Sequence, residues 1–169
     1  MAMERNVYTV VSTKFGLIGA FKTQFGMRKI TLPMSSYYKV LRDLQHYIES
    51  AVEDATYFNE FSDQIRRYFE GERITFSDKL DLNNATDFQQ AVWKYTQSVP
   101  FGETRSYGWI AQQIGYHKAA RAVGNALSRN CLPIVIPCHR IIASDGELGG
   151  FTGGLTMKKR LLQLEGLEL

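Results

Sequence analysis

Three chemically capable side chains stand next to each other in the second half of the chain: the thiol of Cys138, the imidazole of His139 and the guanidinium of Arg140. They follow an apolar run at 132–137, which predicts a buried segment. Titratable groups at the end of such a run need partners, because charges are seldom buried alone. A cysteine in this setting is either an inert core residue or a nucleophile held in place by the core.

Two kinds of nucleophilic chemistry are open to Cys138. Neighbouring side chains of an extended segment point to opposite faces, so a direct dyad with His139, as in a cysteine hydrolase, is not favoured. Attack on a saturated carbon would instead give a thioether, and the protein would act once. That reaction needs a base reached through water, an acid that orients the base, and a proton donor. The candidates are His139, Glu165 in a predicted helix at 155–165, and Tyr107.

The composition is that of an ordinary globular protein. The 169 residues are 44% hydrophobic and 22% charged, which suits one domain or two small ones. No apolar run approaches the roughly 20 residues of a membrane span, and the first six residues lack a secretory segment. We therefore expect a cytoplasmic monomer without membrane contact. With two cysteines and three histidines, none clustered, we expect no disulfide framework, no metal and no cofactor.

The net charge of +3 is unevenly distributed. Residues 104–144 contain no Asp or Glu, but they carry Arg105, Lys118, Arg121, Arg129 and Arg140. A long acid-free stretch of this kind indicates a polyanionic partner, although a solvated basic face would have the same composition.

Two predicted short helices, at 107–114 and 118–128, flank a turn that contains Gly115 and outline a helix-turn-helix. On the second helix, the spacing predicts that Ala120, Val123 and Leu127 pack inward. The predicted outward face consists of small residues and one arginine: Arg121, Ala122, Gly124, Asn125 and Ala126. Such a face suits close approach to the minor groove of DNA, whereas the major groove is read by long polar side chains. An ordinary alanine-rich packed helix remains the alternative.

The first half predicts a β-meander with strands at 7–12, 15–22 and 27–32, then helices at 37–56 and 57–70. Residues 74–82 are predicted as a further strand or a linker. Asn83 and Asn84 form the best candidate boundary, which divides the chain into domains at 1–84 and 85–169. A helix from Thr86 towards Pro100 begins with a capping-box pattern, since Gln89 stands three residues after Thr86.

Short motifs lie in order over almost all of 86–166: FQQAVW at 88–93, PFGETRSY at 100–107, AARAVG at 119–124, IPCHRII at 136–142, the glycine loop GGFTGG at 149–154 and LEG at 164–166. With these motifs, the second half resembles the O6-alkylguanine-DNA alkyltransferases. The resemblance implies an α/β (α+β) fold. Its first domain would be a ribonuclease H-like unit with a small antiparallel sheet, and its second a mostly helical, winged-helix-like domain with the helix-turn-helix.

The resemblance also implies the reaction and its residues. Cys138 would accept the alkyl group irreversibly from O6-alkylguanine in double-stranded DNA, with His139 acting through a water and oriented by Glu165. Tyr107 would bind the guanine and share a proton, and Asn130 would brace the active-site turn. Arg121 would fill the gap left by the flipped nucleotide.

Two further sets of residues follow from the resemblance. The guanine pocket would involve Tyr107, Ile141, Phe151 and Thr152. The DNA contacts would come from Arg105, Ser106, Ala120, Arg121, Ala122, Gly124 and Asn125. Some members bind zinc through N-terminal cysteines and histidines; this chain has no cysteine before Cys131, so no metal is expected. A lesion-recognising protein without transfer activity, a cysteine hydrolase and a structural helix-turn-helix domain remain alternatives.

Overall fold

The computed structural model describes residues 5–169. The chain forms two compact units; the first ends at Asn83 and the second spans Asn84–Leu169. No helix within the described residues is long and apolar enough to cross a membrane.

The first unit is built on the predicted meander. Its strands β1, β2 and β3 pair antiparallel as expected, and they span Val7–Thr13, Gly16–Thr23 and Gly26–Ile30. Gly16 and Gly26 begin the second and third strands with positive φ angles. A side chain at either glycine would collide with the carbonyl of a neighbouring segment, Met34 or Lys79. These two turns therefore need glycine for both conformation and space.

The predicted helix at 37–56 is wrong in its second half. Helix α1 spans Tyr37–Ile48, and strand β4, Val52–Glu53, then pairs parallel with β1. The sheet is therefore mixed, in the order β3-β2-β1-β4. The backbone amides of Val52 and Asp54 donate to carbonyls at the β1 edge, and these bonds replace further helical turns. Helical spacing cannot reveal such pairing, because the partner strand is distant in sequence.

A 3₁₀ turn, Ala55–Phe58, leads into helix α2, Asn59–Phe69, which is shorter than the predicted 57–70. The aromatic side chains of this segment are in the core: Phe58, Phe61, Tyr68 and Phe69 are buried. The segment at 74–82 is not a strand. It runs beside β3, and its Asp81 is buried against Arg28 at 2.8 Å and the Thr23 hydroxyl at 2.6 Å.

We predict that Asp81→Ala lowers the free energy of unfolding by about 2 kcal/mol, because it leaves the half-buried Arg28 without its counter-charge. Urea denaturation would measure the loss. Asp63→Ala is the matched control, since Asp63 is exposed and meets Arg67 only at 3.5 Å on one helix face; its expected effect is about 0.5 kcal/mol or less. Equal effects of the two variants would show that Asp81 does not anchor the segment.

The second unit is mostly helical, as expected. Helices α3, α4, α5 and α6 span Asp87–Gln97, Tyr107–Gln113, Ala120–Ser128 and Leu155–Leu164, and short strands β5 (Arg105–Ser106) and β6 (Ile141–Ile142) pair parallel. The capping box of Thr86 and Gln89 is formed. Ser106 caps α4 by accepting the amide of Trp109, and Gly115 follows that helix with a φ of 79°. The helix-turn-helix is therefore present.

The inward face of α5 differs from the prediction. Val123 and Leu127 are buried as expected, but Ala120 is exposed and Ala126 is buried. The carbonyl of Ala126 accepts the indole N–H of Trp93 on α3 at 2.9 Å. Packing against α3 therefore turns the buried stripe towards Ala126. Ala120 lies at the first position of the helix, beyond that contact.

Candidate functional site

A compact loop presents Cys138. The side chains of Leu132, Ile134 and Ile136 are buried, as the apolar run predicts, but the expected extended conformation is wrong. The amide of Ile136 donates to the carbonyl of Leu132, and Ile134 has a φ of 73°, a strained value for a β-branched residue. Pro137 then centres a tight turn in which the Cys138 amide donates to Ile136.

Asn130 braces this loop from within. Its Nδ2 donates to the Ile136 carbonyl at 2.9 Å and to the Cys138 Sγ at 3.2 Å. Its Oδ1 accepts the Leu132 amide at 2.9 Å. One side chain therefore holds both ends of the loop and contacts the thiol itself.

Cys138, His139 and Arg140 form a single 3₁₀ turn. The turn separates their side chains: Cys138, 9% exposed, lines a cavity, while His139 is fully buried. Burial raises the pKa of the Cys138 thiol, although the hydrogen bond from Asn130 and the charge of Lys158 oppose the shift. The resting thiol is therefore protonated and needs a base before it can attack.

His139 is paired with Glu165, its Nε2 lying 2.7 Å from the carboxylate Oε1. Burial lowers the pKa of His139, and the charges of Arg140 and Lys158 add to the effect, against the opposing pull of Glu165. The imidazole is therefore neutral at pH 7. An ionised carboxylate only accepts hydrogen bonds, so Nε2 carries the proton and Nδ1 is the basic nitrogen.

Glu165 also joins two other segments. Its carboxylate accepts Arg140 Nε at 2.9 Å, Arg140 Nη2 at 3.0 Å and the amide of Gly102 at 3.0 Å. Arg140 donates in addition to the Val99 carbonyl at 2.7 Å. Burial alone would raise the pKa of Glu165, but the hydrogen bonds from His139 and Arg140, the charge of Arg140 and, in acid, that of protonated His139 lower it to about 2. Sequence reasoning missed the parts of Arg140 and Gly102.

The cavity beside Cys138 has a volume of about 890 Å³. It brings together many of the expected site residues, from α4, α5, the 3₁₀ turn and the glycine loop: Tyr107, Ala120, Arg121, Gly124, Asn125, Cys138, Phe151 and Thr152. The rest of the cavity wall consists of residues that the sequence did not predict there: Gly108, Leu127, Ser128, Ala143, Ser144 and Gly150.

Four of the expected DNA-contact and guanine-pocket residues do not line the cavity. Ala122 is exposed on α5, and Ile141 is buried. Ser106 caps α4, and Arg105 pairs with Glu103 at 2.8 Å while it donates to the Thr104 carbonyl. Within residues 5–169, no three His, Cys, Asp or Glu side chains are grouped as a metal site.

The glycine loop closes the cavity on one side. Gly149 has a φ of 68°, and a Cβ there would lie 2.7 Å from the Tyr107 hydroxyl, so glycine lets the loop pass the ring. The Tyr107 hydroxyl donates to the Gly150 carbonyl at 3.3 Å, and burial raises its pKa. The same carbonyl accepts the ammonium of Lys158, a buried residue that sequence reasoning missed. The available signal was its place three residues before Leu161 on the apolar face of α6.

We predict that acid destabilises this protein through Glu165 and His139. Because the folded pKa of Glu165 lies below its unfolded value near 4.5, its contribution of about 3 kcal/mol is present above that value and lost as the pH falls towards 2. The lowered pKa of His139 adds a loss that begins below about 6.5. Urea unfolding at a series of pH values would measure both.

Glu165→Gln should lower stability by about 3 kcal/mol at pH 7, because Arg140 then keeps a buried charge without its partner. Its deficit should shrink as the pH falls towards 2. Glu168→Gln, at an exposed position, is the matched control and should follow the wild-type curve. A deficit that does not depend on pH would contradict the assignment of an ionised Glu165.

Comparisons with known proteins cover both units. The model of the 6-O-methylguanine DNA methyltransferase DNA binding domain matches residues 87–167, and that of the family's ribonuclease-like domain matches residues 6–82. The methylated-DNA--protein-cysteine methyltransferase of Methanosarcina acetivorans is 48% identical over 118 residues, 70% of this chain and 75% of that protein. The Mycobacterium tuberculosis protein of the same name is 53% identical over 103 residues, 61% of this chain and 62%, or less than two thirds, of its own length.

A solved structure extends the likeness over nearly the whole chain. The crystal structure of Mycobacterium tuberculosis OGT in complex with DNA superposes with a TM-score of 0.80 and 38% identity, and the match covers 94% of this chain and 92% of that one. The expected α/β fold and the resemblance drawn from the sequence motifs are thereby confirmed. The chain belongs to the 6-O-methylguanine DNA methyltransferase family.

Proposed function

We propose that this protein repairs O6-alkylguanine in double-stranded DNA by direct reversal, transferring the alkyl group irreversibly to Cys138. The observation that carries the proposal is the position of the Cys138 thiol in the cavity wall, hydrogen-bonded by Asn130 and next in the chain to the buried His139–Glu165 pair. The relatives' names, methylated-DNA--protein-cysteine methyltransferase, describe this reaction.

The thiol is activated by His139. The Nε2 of His139 is held by Glu165, so the Nδ1 of His139 receives the thiol proton through a bridging water. Glu165 orients the ring and stabilises the imidazolium as it forms, and Arg140 keeps the carboxylate ionised. Asn130 donates to the sulfur as negative charge develops on it.

The transfer is a displacement at saturated carbon. The Cys138 thiolate forms a bond to the alkyl carbon, the bond from that carbon to guanine O6 breaks, and its electron pair stays on the base. Tyr107 donates a proton to the leaving guanine and is reprotonated with the proton first taken by His139. The net change moves one proton from the thiol to guanine. Water does not cleave the resulting thioether, so each molecule acts once and needs no cofactor.

The DNA interface is the exposed small-residue face of α5. Arg121 is exposed there and lines the cavity, so it enters the duplex through the minor groove and takes the place of the flipped nucleotide. The alkylated guanine occupies the cavity under Phe151 and Thr152.

Residues 85–169 bind DNA and accept the alkyl group, and residues 1–84 support them. The protein works as a monomer in the cytoplasm.

Incubation with an oligonucleotide that contains O6-methylguanine should add one methyl group to the protein, as intact mass spectrometry would show. Cys138→Ala should abolish the gain and Cys131→Ala should preserve it, because Cys131 does not line the cavity. Unmodified protein that binds the oligonucleotide would indicate a lesion-recognising protein without transfer. Repeated turnover of an ester substrate would indicate a hydrolase.

Arg121→Ala should slow repair of duplex DNA roughly tenfold or more, because the gap in the base stack is no longer filled. Its reaction with free O6-alkylguanine base should be unchanged, since no nucleotide has to be flipped. Both rates are measured by mass spectrometry. Arg66→Ala removes an equal charge from an exposed position in the first unit and serves as the control. Equal losses on duplex and free base would refute the flipping role.

A further inference from the structure

Lys158 is a buried cation close to the acceptor site. Its side chain has no solvent exposure, and its ammonium donates to two backbone carbonyls, Ile141 at 2.6 Å and Gly150 at 3.1 Å. Among the described residues, no carboxylate lies within ion-pair distance of its Nζ. Burying an ammonium without a counter-anion is costly, so packing alone does not account for a lysine here.

The two carbonyls belong to the segments on either side of the acceptor. Ile141 begins β6 directly after the 3₁₀ turn that carries Cys138, and Gly150 lies in the glycine loop and lines the cavity. The Tyr107 hydroxyl shares the Gly150 carbonyl, and the Lys158 ammonium lies 5.8 Å from the centre of the Tyr107 ring. Lys158 therefore links β6 to the loop directly behind the cavity wall.

The charge of Lys158 acts on the thiol. The ionisable groups that face it are Cys138 and His139 on the 3₁₀ turn and Tyr107 on α4. Burial lowers the pKa of Lys158 to about 8, and interaction with Cys138 opposes this shift, so the lysine is mostly charged at pH 7. His139 is neutral, and Arg140 is bound to Glu165. Among the described residues, Lys158 is therefore a buried cation beside Cys138 that is not paired with a carboxylate.

We propose that Lys158 is a positioning residue for alkyl transfer: it ties β6 to the glycine loop and holds behind Cys138 a positive charge that the thiolate compensates. The buried Lys158 ammonium stabilises the Cys138 thiolate, and the thiolate in turn stabilises the buried ammonium. The inference deepens the proposed repair function and rests on it. The prediction itself concerns the ionisation of Cys138, which can be measured without DNA.

The test is the pH dependence of Cys138 alkylation by iodoacetamide in the full chain. Trypsin leaves Cys131 and Cys138 in one peptide, residues 130–140, so all variants carry Cys131→Ser. Lys158→Gln keeps hydrogen-bond donors but removes the charge. At pH 7, where Lys158 carries its charge, the reaction of this variant should be about tenfold slower than that of the protein with Lys158. Lys159→Gln removes an equal charge from an exposed position on the same helix and should leave the rate at pH 7 unchanged.

Lys158→Arg, which retains the charge, should keep most of the wild-type rate at pH 7. Circular dichroism verifies that each variant is folded, and Lys158→Met replaces Lys158→Gln if the glutamine variant does not fold. An unchanged rate at pH 7 in a folded, uncharged variant overturns the proposal, and so do equal losses of rate in the Gln and Arg variants. If wild-type protein fails to take the methyl group from DNA, the repair function falls, while the iodoacetamide profile still decides the role of Lys158.

Discussion

Glu165 accepts hydrogen bonds from His139, from Arg140 and from the amide of Gly102 at a depth where its side chain has no contact with water. The carboxylate stands just after α6, Gly102 in the turn after α3, and the other two donors on the turn that carries Cys138. A buried charge is stable only when all its partners are in place. The three segments must therefore assemble together, and the position of the acceptor cysteine depends on that assembly.

Opposing effects meet at the Cys138 sulfur. Burial raises the pKa of its thiol, while Asn130 and Lys158 favour the thiolate. The neighbouring imidazole is neutral, so it can take a proton but supplies no charge to the sulfur at rest. The thiol is therefore held protonated until a base removes its proton. For a protein that uses its nucleophile once, this limits loss to other electrophiles.

Local signals predicted local structure well. The capping box at Thr86 begins its helix, and Gly115 follows the end of another, as the sequence predicts. Errors arose where a distant segment decides the outcome. Residues 52–53, near the end of the predicted helix at 37–56, form β4 instead, because they pair with β1. Ala126 became buried because α3 packs against it. Periodicity within one helix contains no information about either partner.

The sequence by itself determined the chemistry: a thiol, an imidazole and a guanidinium at consecutive positions, an acid-free stretch before them and a glycine loop after them. Their order identified the family. Only the tertiary structure decided which groups meet, since Gly102, Arg140 and Glu165 are far apart in the chain and converge by packing. It also decided which groups are charged. The sequence places Lys158 on the apolar face of α6, but only the folded chain shows that its ammonium is buried and donates to the Ile141 carbonyl beside the acceptor site.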